Sequence, residues 1–310
     1  MPEIRTAVIG VGYLGKFHAQ KYSKLKNSKL LAVVDNDFEK AQKIAIENDC
    51  AAISDYHELL GNVDAVSIVV PTDLHFEVAA DFLSHKSHVL VEKPITTTIE
   101  EAENLIALAE KNNRILQVGH LERFNPAMLA LEKELSNVNF IESHRLAPYN
   151  PRGTEVNVVL DLMIHDIDII LEIVDSDVEK IDASGTPVLS DEIDIANARI
   201  VFKNGCVANV TASRVSNKTE RKMRIFQNDA YLSVDYQHRE LAIFRKGEGE
   251  MFPGIPNIES NKINFDESDA LLTEIEHFLT SITSNSKPKV TGYDGKRALL
   301  TATHINELLA

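Results

Sequence analysis

Cysteine is scarce in this chain of 310 residues, which carries only Cys50 and Cys206. The two lie far apart and lack the spacing of metal ligands, so neither a disulfide framework nor a zinc ribbon is expected. They fit a reducing compartment, and the cytoplasm is the expected location. Long apolar runs are missing too: none approaches the ~20 residues of a membrane-spanning helix. The opening stretch "MPEIRTAVIG" has no charged start, long apolar block or cleavage site of a secretory signal. Cations are in deficit, with 32 Lys and Arg against 47 Asp and Glu, for a formal net charge of −15. That balance argues against nucleic acid as a partner, because a basic footprint is required there. It also sets a condition on any anionic ligand, which local cations or helix amino termini must hold. Internal repeats and low-complexity segments are absent.

What remains is ordinary for a globular protein: 44% hydrophobic and 25% charged residues. The length points to two domains, placed at 1–120 and 121–310. In the first, "IRTAVIGVGYLGKFHAQKYSKL" runs from an apolar strand through three glycines into a helix. "KLLAVVDND" gives a second strand, and a helix follows from Phe38 to Asn48. Strands at "AVSIVV", "SHVLVE" and "RILQV" alternate with helical patterns at "DLHFEVAADFLSH" and "TIEEAENLIALAEKNN". These strands lack clean polar alternation, as expected when helices cover both faces of a parallel sheet. The reading is a doubly wound α/β domain.

Beyond Gly119 the pattern changes. A helix at "FNPAMLALEKEL", a strand at "NFIESHRLA" and a helix at "NVVLDLMIHDIDIILEIV" precede a series of strands. Asn204-Gly205 and Asn228-Asp229 sit between strands as hairpin turns. This predicts an α+β domain with a large, mostly antiparallel open sheet and helices on one side. "KGEGEMFPGIPNIESNKINF" is expected to be a loop or irregular excursion, and helices at 268–282 and 294–309 close the chain. The exposed face of such a sheet suits a subunit contact, so a homodimer or homotetramer is expected.

Gly10, Gly12 and Gly15 form a G-x-G-x-x-G at the first strand-to-helix junction. The first permits a tight turn, the second lets backbone approach a pyrophosphate, and the third allows close helix packing. Asp35 closes the second strand, where a carboxylate can bond both ribose hydroxyls of NAD. It would repel a 2′-phosphate and no arginine follows closely, so NAD is expected over NADP. The simpler role for Asp35 is a cap on the helix beginning near Phe38. In "VLVEKPI", Lys93 ends a buried strand, where its charge requires a partner or a task. Pro94 holds it in extended backbone. In "DLMIHDID", Asp161, His165 and Asp168 stand at i, i+4 and i+7, hence on one helix face. A carboxylate one turn from an imidazole suits a general base. Two alternatives stand: polar groups satisfied by neighbours or water, or a metal site completed by ligands from elsewhere.

"GVGYLGKFHA", "VPTDLH", "VLVEKPI", "GHLERFNP" and "DLMIHDID", in that order, resemble the Gfo/Idh/MocA family of sugar and polyol dehydrogenases. The resemblance covers nearly the whole chain and implies an active site in a cleft between the domains. It places Lys93 at substrate and nicotinamide ribose, with a cis bond to Pro94. Glu92 is implied beside the cofactor, His165 as the base, and Asp161 as its orienter or a substrate contact. Tyr13, Leu14, Val70, Pro71 and His75 join the glycines at the dinucleotide. His120, Arg123 and Arg145 are implied at the substrate, although His120 replaces a bulkier aromatic and "NVVL" replaces a glycine-rich approach. Within the family, the segments around "GHLERFNP" and "HRLAPYNPRGTEVNVVLDLMIHDIDIIL" are most similar to UDP-N-acetylglucosamine 3-dehydrogenases. Those enzymes form a ketone that an aminotransferase converts to an amine for lipid A. Arg123, Arg145, Arg152 and Arg214 are then candidates for the two phosphates, with solvated surface roles as the alternative. A dehydrogenase of a free sugar or polyol such as inositol, and a non-catalytic dinucleotide-binding protein, remain as other readings.

Overall fold

The computed structural model describes residues 3–150 and 156–310. It divides into two compact units, Met1–Leu121 with Asp269–Leu299, and Glu122–Ser268 with Leu300–Ala310.

The first unit alternates strand and helix: β1 (Ile4–Ile9), α1 (Gly15–Tyr22), β2 (Ser28–Val34), α2 (Phe38–Asn48) and β3 (Ala51–Ile53). It continues with β4 (Ala65–Ile68), α3 (His75–Ser84), β5 (His88–Glu92), α4 (Ile99–Asn112) and β6 (Leu116–Gly119). The strands form one parallel sheet in the order β3-β2-β1-β4-β5-β6. β4 and β6 are buried along their whole length, which explains their apolar runs without alternation. Local chemistry sets the helix ends. The Asp37 side chain accepts the Lys40 amide at the start of α2, and Thr98 and Glu101 form a reciprocal capping box on α4. β3, with three residues, is too short to stand out in the sequence.

The second unit contains α5 (Pro126–Leu131), β7 (Val138–Leu146), a π turn (Val159–Met163) and α6 (Ile164–Val174). Then come β8 (Val178–Thr186), β9 (Ile195–Phe202), β10 (Val207–Ser213), β11 (Glu220–Gln227), β12 (Ala230–Asp235), β13 (Glu240–Phe252) and β14 (Ile255–Asn264). They make an eight-stranded sheet, β14-β13-β12-β11-β7-β10-β9-β8. Among the described residues of this sheet, only the β7–β10 pair is parallel. One face is apolar and buried, with Ala198, Ile200, Val210, Ile225, Leu232 and Ile243. On the other, Phe140, Phe226, Tyr231 and Phe244 form a row across β7, β11, β12 and β13, with ring centroids 5.7, 5.0 and 5.3 Å apart. Gly205 turns the β9–β10 hairpin with φ +87°.

Two expectations change. The segment read as an irregular excursion is the outer half of the β13–β14 hairpin, turned at Gly254 with φ +80°. Its register shifts between Lys246 and Phe252, and its exposed residues lack an apolar alternation to mark a strand. The division at 120 and 121 also leaves out a return of the chain. α7 (Ala270–Ser284) buries Ile275, Phe278 and Leu279 in the core cluster of the first unit, with Val8, Val33 and Leu90. The unit division falls inside α8 (Gly292–Leu309). Periodicity shows that a helix has an apolar face, but not which sheet receives it.

Candidate active site

The glycine loop follows from close backbone packing. Gly10 has φ +87°, and a Cβ there would lie 2.6 Å from the Val69 carbonyl oxygen. At Gly15 it would lie 1.9 Å from the Gly10 carbonyl oxygen. Gly12 differs: the nearest atom to its Cβ position is Lys40 Nζ, at 4.0 Å. Two glycines therefore shape the turn, and the middle one leaves open space for backbone approach. Asp35 follows β2. Its Oδ2 accepts the Val11 amide and Lys40 Nζ, each at 2.9 Å, and its Oδ1 accepts the Asp37 amide at 3.1 Å. The cap of α2 is Asp37, so Asp35 is not needed there and keeps accepting capacity on Oδ1. A cavity of about 570 Å³ is lined by Gly10, Gly12, Asp35, Val70 and Pro71, all expected, and also by Lys40, Tyr56 and His57. These residues fit NAD, through the open face at Gly12 and the carboxylate at the end of β2. Lys40 was missed because its link to Asp35 depends on the fold of the turn between them.

The other expected cofactor residues fall elsewhere. Tyr13 and Leu14 are exposed at the entry to α1. The His75 ring is buried between the Val70 and Pro94 carbonyl oxygens, at 3.0 and 2.9 Å. Burial lowers its pKa despite those carbonyls. It ties the segment after β4 to the turn after β5. Lys93 is half-buried, and its peptide bond to Pro94 is cis, as the resemblance implied. Glu92 points its carboxylate inward, with Oε1 3.2 Å from His18 Nε2 and Oε2 accepting the Lys93 amide at 3.3 Å. Burial pushes the Glu92 carboxyl up, but the His18 hydrogen bond and the charges of His18 and Lys93 outweigh it and hold it below its ordinary value. His120, just after β6, is buried.

In the second unit, Asp161 lies in the π turn and His165 in the first turn of α6, both half-buried. Asp168, one turn on from His165 within α6, is buried, and its Oδ2 lies 3.3 Å from Arg123 Nε. The π turn that holds Asp161 changes the winding of the helix, so the spacing counted from Asp161 on an α-helix does not carry across it. Such turns are frequent at functional sites.

The arginines nominated for phosphate have other partners. Arg123 Nη1 also meets Glu172 at 2.9 Å. Arg145 grips Asp166 with Nε and Nη2, at 2.9 and 3.0 Å, and donates Nη1 to Glu122 at 3.1 Å. Its pKa is raised although burial opposes this, because Asp166 and Glu122 stabilise its charge. Arg214 Nε donates to Asp194 at 2.7 Å. All three are buried, at 1%, 3% and 4% exposure. Arg152 lies outside the described residues. Asp166, Asp168 and Glu172 all belong to α6, so Arg123 and Arg145 anchor the helix that carries His165. Among the described residues, no three His, Cys, Asp or Glu side chains group as metal ligands would. No described helix is long and apolar enough to cross a membrane.

Comparison with known proteins matches both units. An oxidoreductase family model with an NAD-binding Rossmann fold covers residues 4–120, and a GFO/IDH/MocA C-terminal domain covers residues 132–233. A UDP-N-acetylglucosamine 3-dehydrogenase from Acidithiobacillus ferrooxidans is 40% identical over 98% of this chain and 97% of its own. A solved structure of an enzyme of that name and organism matches with a TM-score of 0.94, covering 100% of this chain and 98% of the other. A myo-inositol 2-dehydrogenase from Thermotoga maritima is 26% identical over 96% of this chain and 93% of its own.

Proposed function

The chain belongs to the Gfo/Idh/MocA oxidoreductase family, and on that premise we propose that it oxidises the 3-hydroxyl of UDP-N-acetylglucosamine to a ketone. The observation that carries this reading is 40% identity to an enzyme of that activity over 98% of the chain, both units included. Bound NAD supplies the hydride acceptor. Lys93 stabilises negative charge as it develops on the substrate oxygen. His165 takes the hydroxyl proton, and Asp161 orients its imidazole or touches the sugar. The C–H electron pair leaves as hydride, the O–H pair becomes the second bond of the carbonyl, and the proton rests on His165. The reaction is balanced.

In this reading an aminotransferase consumes the ketone on the way to an amino sugar of lipid A. The cytoplasm suits both the nucleotide sugar and two cysteines that form no disulfide. The aromatic row on the open sheet face supports a homodimer or homotetramer. A second reading, a free sugar or polyol as substrate, draws support from the arginines. Arg123, Arg145 and Arg214 are held by carboxylates, so phosphate binding by them would require exchange of buried partners. Membership of an oxidoreductase family disfavours a non-catalytic role.

The test is NAD reduction across UDP-N-acetylglucosamine, free N-acetylglucosamine and myo-inositol, with an aminotransferase present to remove ketone. Turnover with the nucleotide sugar is expected. Turnover with myo-inositol alone would replace the first reading by the second.

A further inference from the structure

Four polar side chains of the first unit form one hydrogen-bonded line. Tyr22 Oη lies 2.8 Å from Ser67 Oγ, Ser67 Oγ 3.1 Å from His18 Nδ1, and His18 Nε2 3.2 Å from Glu92 Oε1. Tyr22, Ser67 and His18 are buried, and Glu92 nearly so. An ionised Glu92 accepts from His18 Nε2–H, and the Tyr22 and Ser67 hydroxyls can each donate and accept, so every member of the line can be satisfied. The line does not stop at Glu92, because Oε2 accepts the Lys93 amide at 3.3 Å. The Ser-His-Glu order is that of a hydrolase triad, but Ser67 has 0% exposure and its proton is already committed. A nucleophilic role is excluded.

The surroundings preserve this arrangement. Glu92 faces Gly119 across the β5–β6 pair, and a Cβ there would lie 3.0 Å from the carboxylate carbon and both oxygens. Glycine leaves that space to the carboxylate. From α7, Glu274 is fully buried, and neither of its oxygens has a hydrogen-bond partner among the described residues. Burial first, and then the charge of Glu92, push the Glu274 carboxyl well above its ordinary value. The two neighbouring carboxyls are therefore pushed in opposite directions, Glu274 up and Glu92 down. The groups acting on Glu92 are His18 from α1, Glu274 from α7, His75 from α3 and adjacent Lys93, with Tyr22 at the far end of the line.

We propose that His18 is a positioning residue for Lys93, acting through Glu92 on the backbone of the E-K-P turn. This rests on the reading of Lys93 as the group that stabilises the substrate oxygen. A misplacement of about 1 Å at such a group costs on the order of 10²-fold in rate. His18 touches neither substrate nor the reacting atoms in this role.

Three substitutions separate the two ends of the imidazole. His18→Gln puts an amide donor near the Nε2 position and keeps the bond to Glu92. His18→Asn retains the Nδ1 side and loses Glu92, and His18→Leu loses both. The measurements are kcat, KM, NAD dissociation constant and the pH profile of kcat, with thermal unfolding as a check on folding. His18→Asn and His18→Leu are expected to lower kcat about ten- to hundredfold, with KM and NAD affinity changed less than about threefold. Their acid limb should move to higher pH, because Glu92 loses its main stabilising hydrogen bond. His18→Gln should stay within about threefold of the parent enzyme. Infrared spectra of protein carrying carbon-13 glutamate read Glu92 without turnover. On acid titration, a protonated-carboxyl band beyond that of Glu274 should grow in at higher pH in His18→Leu than in the parent protein, and this component should be lost when Glu92→Gln is added. Equal kinetics in all three variants, or an unmoved acid limb with an unmoved band, overturns the proposal. Lys93→Ala judges the underlying reading separately: retained turnover there removes Lys93's role, while the infrared result still decides whether His18 governs Glu92. If His18→Leu does not fold, the Gln and Asn variants alone carry the comparison.

Discussion

In the first unit, the ionisable groups at the candidate site form a line that leads to Lys93. In the second unit, the buried arginines are closed off against carboxylates, and two of them grip α6. The difference lies in what each buried charge is left to do. Glu92 ends on the amide of the residue that would meet substrate, whereas Arg123 and Arg145 end on the helix that supports His165. A buried, fully engaged arginine is therefore better read as a brace than as a phosphate ligand. Removing one partner of such a pair leaves an uncompensated charge, so braces are expected to reveal themselves in stability.

The largest expected effect is at His165. His165→Asn should lower kcat by about 10²–10⁴-fold and leave NAD affinity within about threefold. Stopped-flow reduction and a binding titration separate the two, and a collapse of NAD affinity would contradict the role given to His165. Next comes the brace itself. Arg145→Met should cost about 3–5 kcal/mol in urea unfolding. If stability holds and only KM for a UDP-sugar rises, Arg145 is a ligand after all and the contrast between the units breaks. Asp35→Ala should weaken NAD binding by about ten- to hundredfold, because charge-assisted hydrogen bonds to the ribose are lost. Unchanged affinity would remove Asp35 from the cofactor site.

The smallest effect is a pH dependence confined to the first unit. Burial, and then the charge of Arg114, push the His88 ring down from 6.5 to about 4. Between those values the unfolded chain binds the proton and the folded chain does not, so stability falls as pH drops through that window. His88→Asn, which puts an acceptor near the Nδ1 position and can still accept the Ile115 amide, should flatten stability between pH 6.5 and 4. An unchanged slope would place the acid sensitivity elsewhere.

The two units also differ in how much the sequence revealed. The glycine loop, Asp35 and the E-K-P turn were legible because their geometry is set by neighbours in the chain. Gly15 is required by the nearby Gly10 carbonyl, and Gly10 by its own positive φ. The arginine pairs were not legible: Arg145 and Asp166 stand 21 residues apart, and no local pattern joins them. The π turn before α6 was equally hidden, since an apolar stretch such as "NVVLDLMI" fits either winding. The outer hairpin does not read as a strand because Gly247 and Gly249 alternate with charged residues, with no apolar side chain to mark a buried face. His18 lies between these cases. It sits three residues past the glycine motif, in α1, but only the fold brings it to Glu92 from 74 residues away.

Hydride transfer from UDP-N-acetylglucosamine deuterated at carbon 3 tests the central claim most directly. With NAD and an aminotransferase present, deuterium should appear on the reduced nicotinamide, and Lys93→Ala and His165→Asn should each suppress that transfer. Deuterium left on the sugar while NAD is reduced, or no reduction until a free polyol is supplied, would contradict the account.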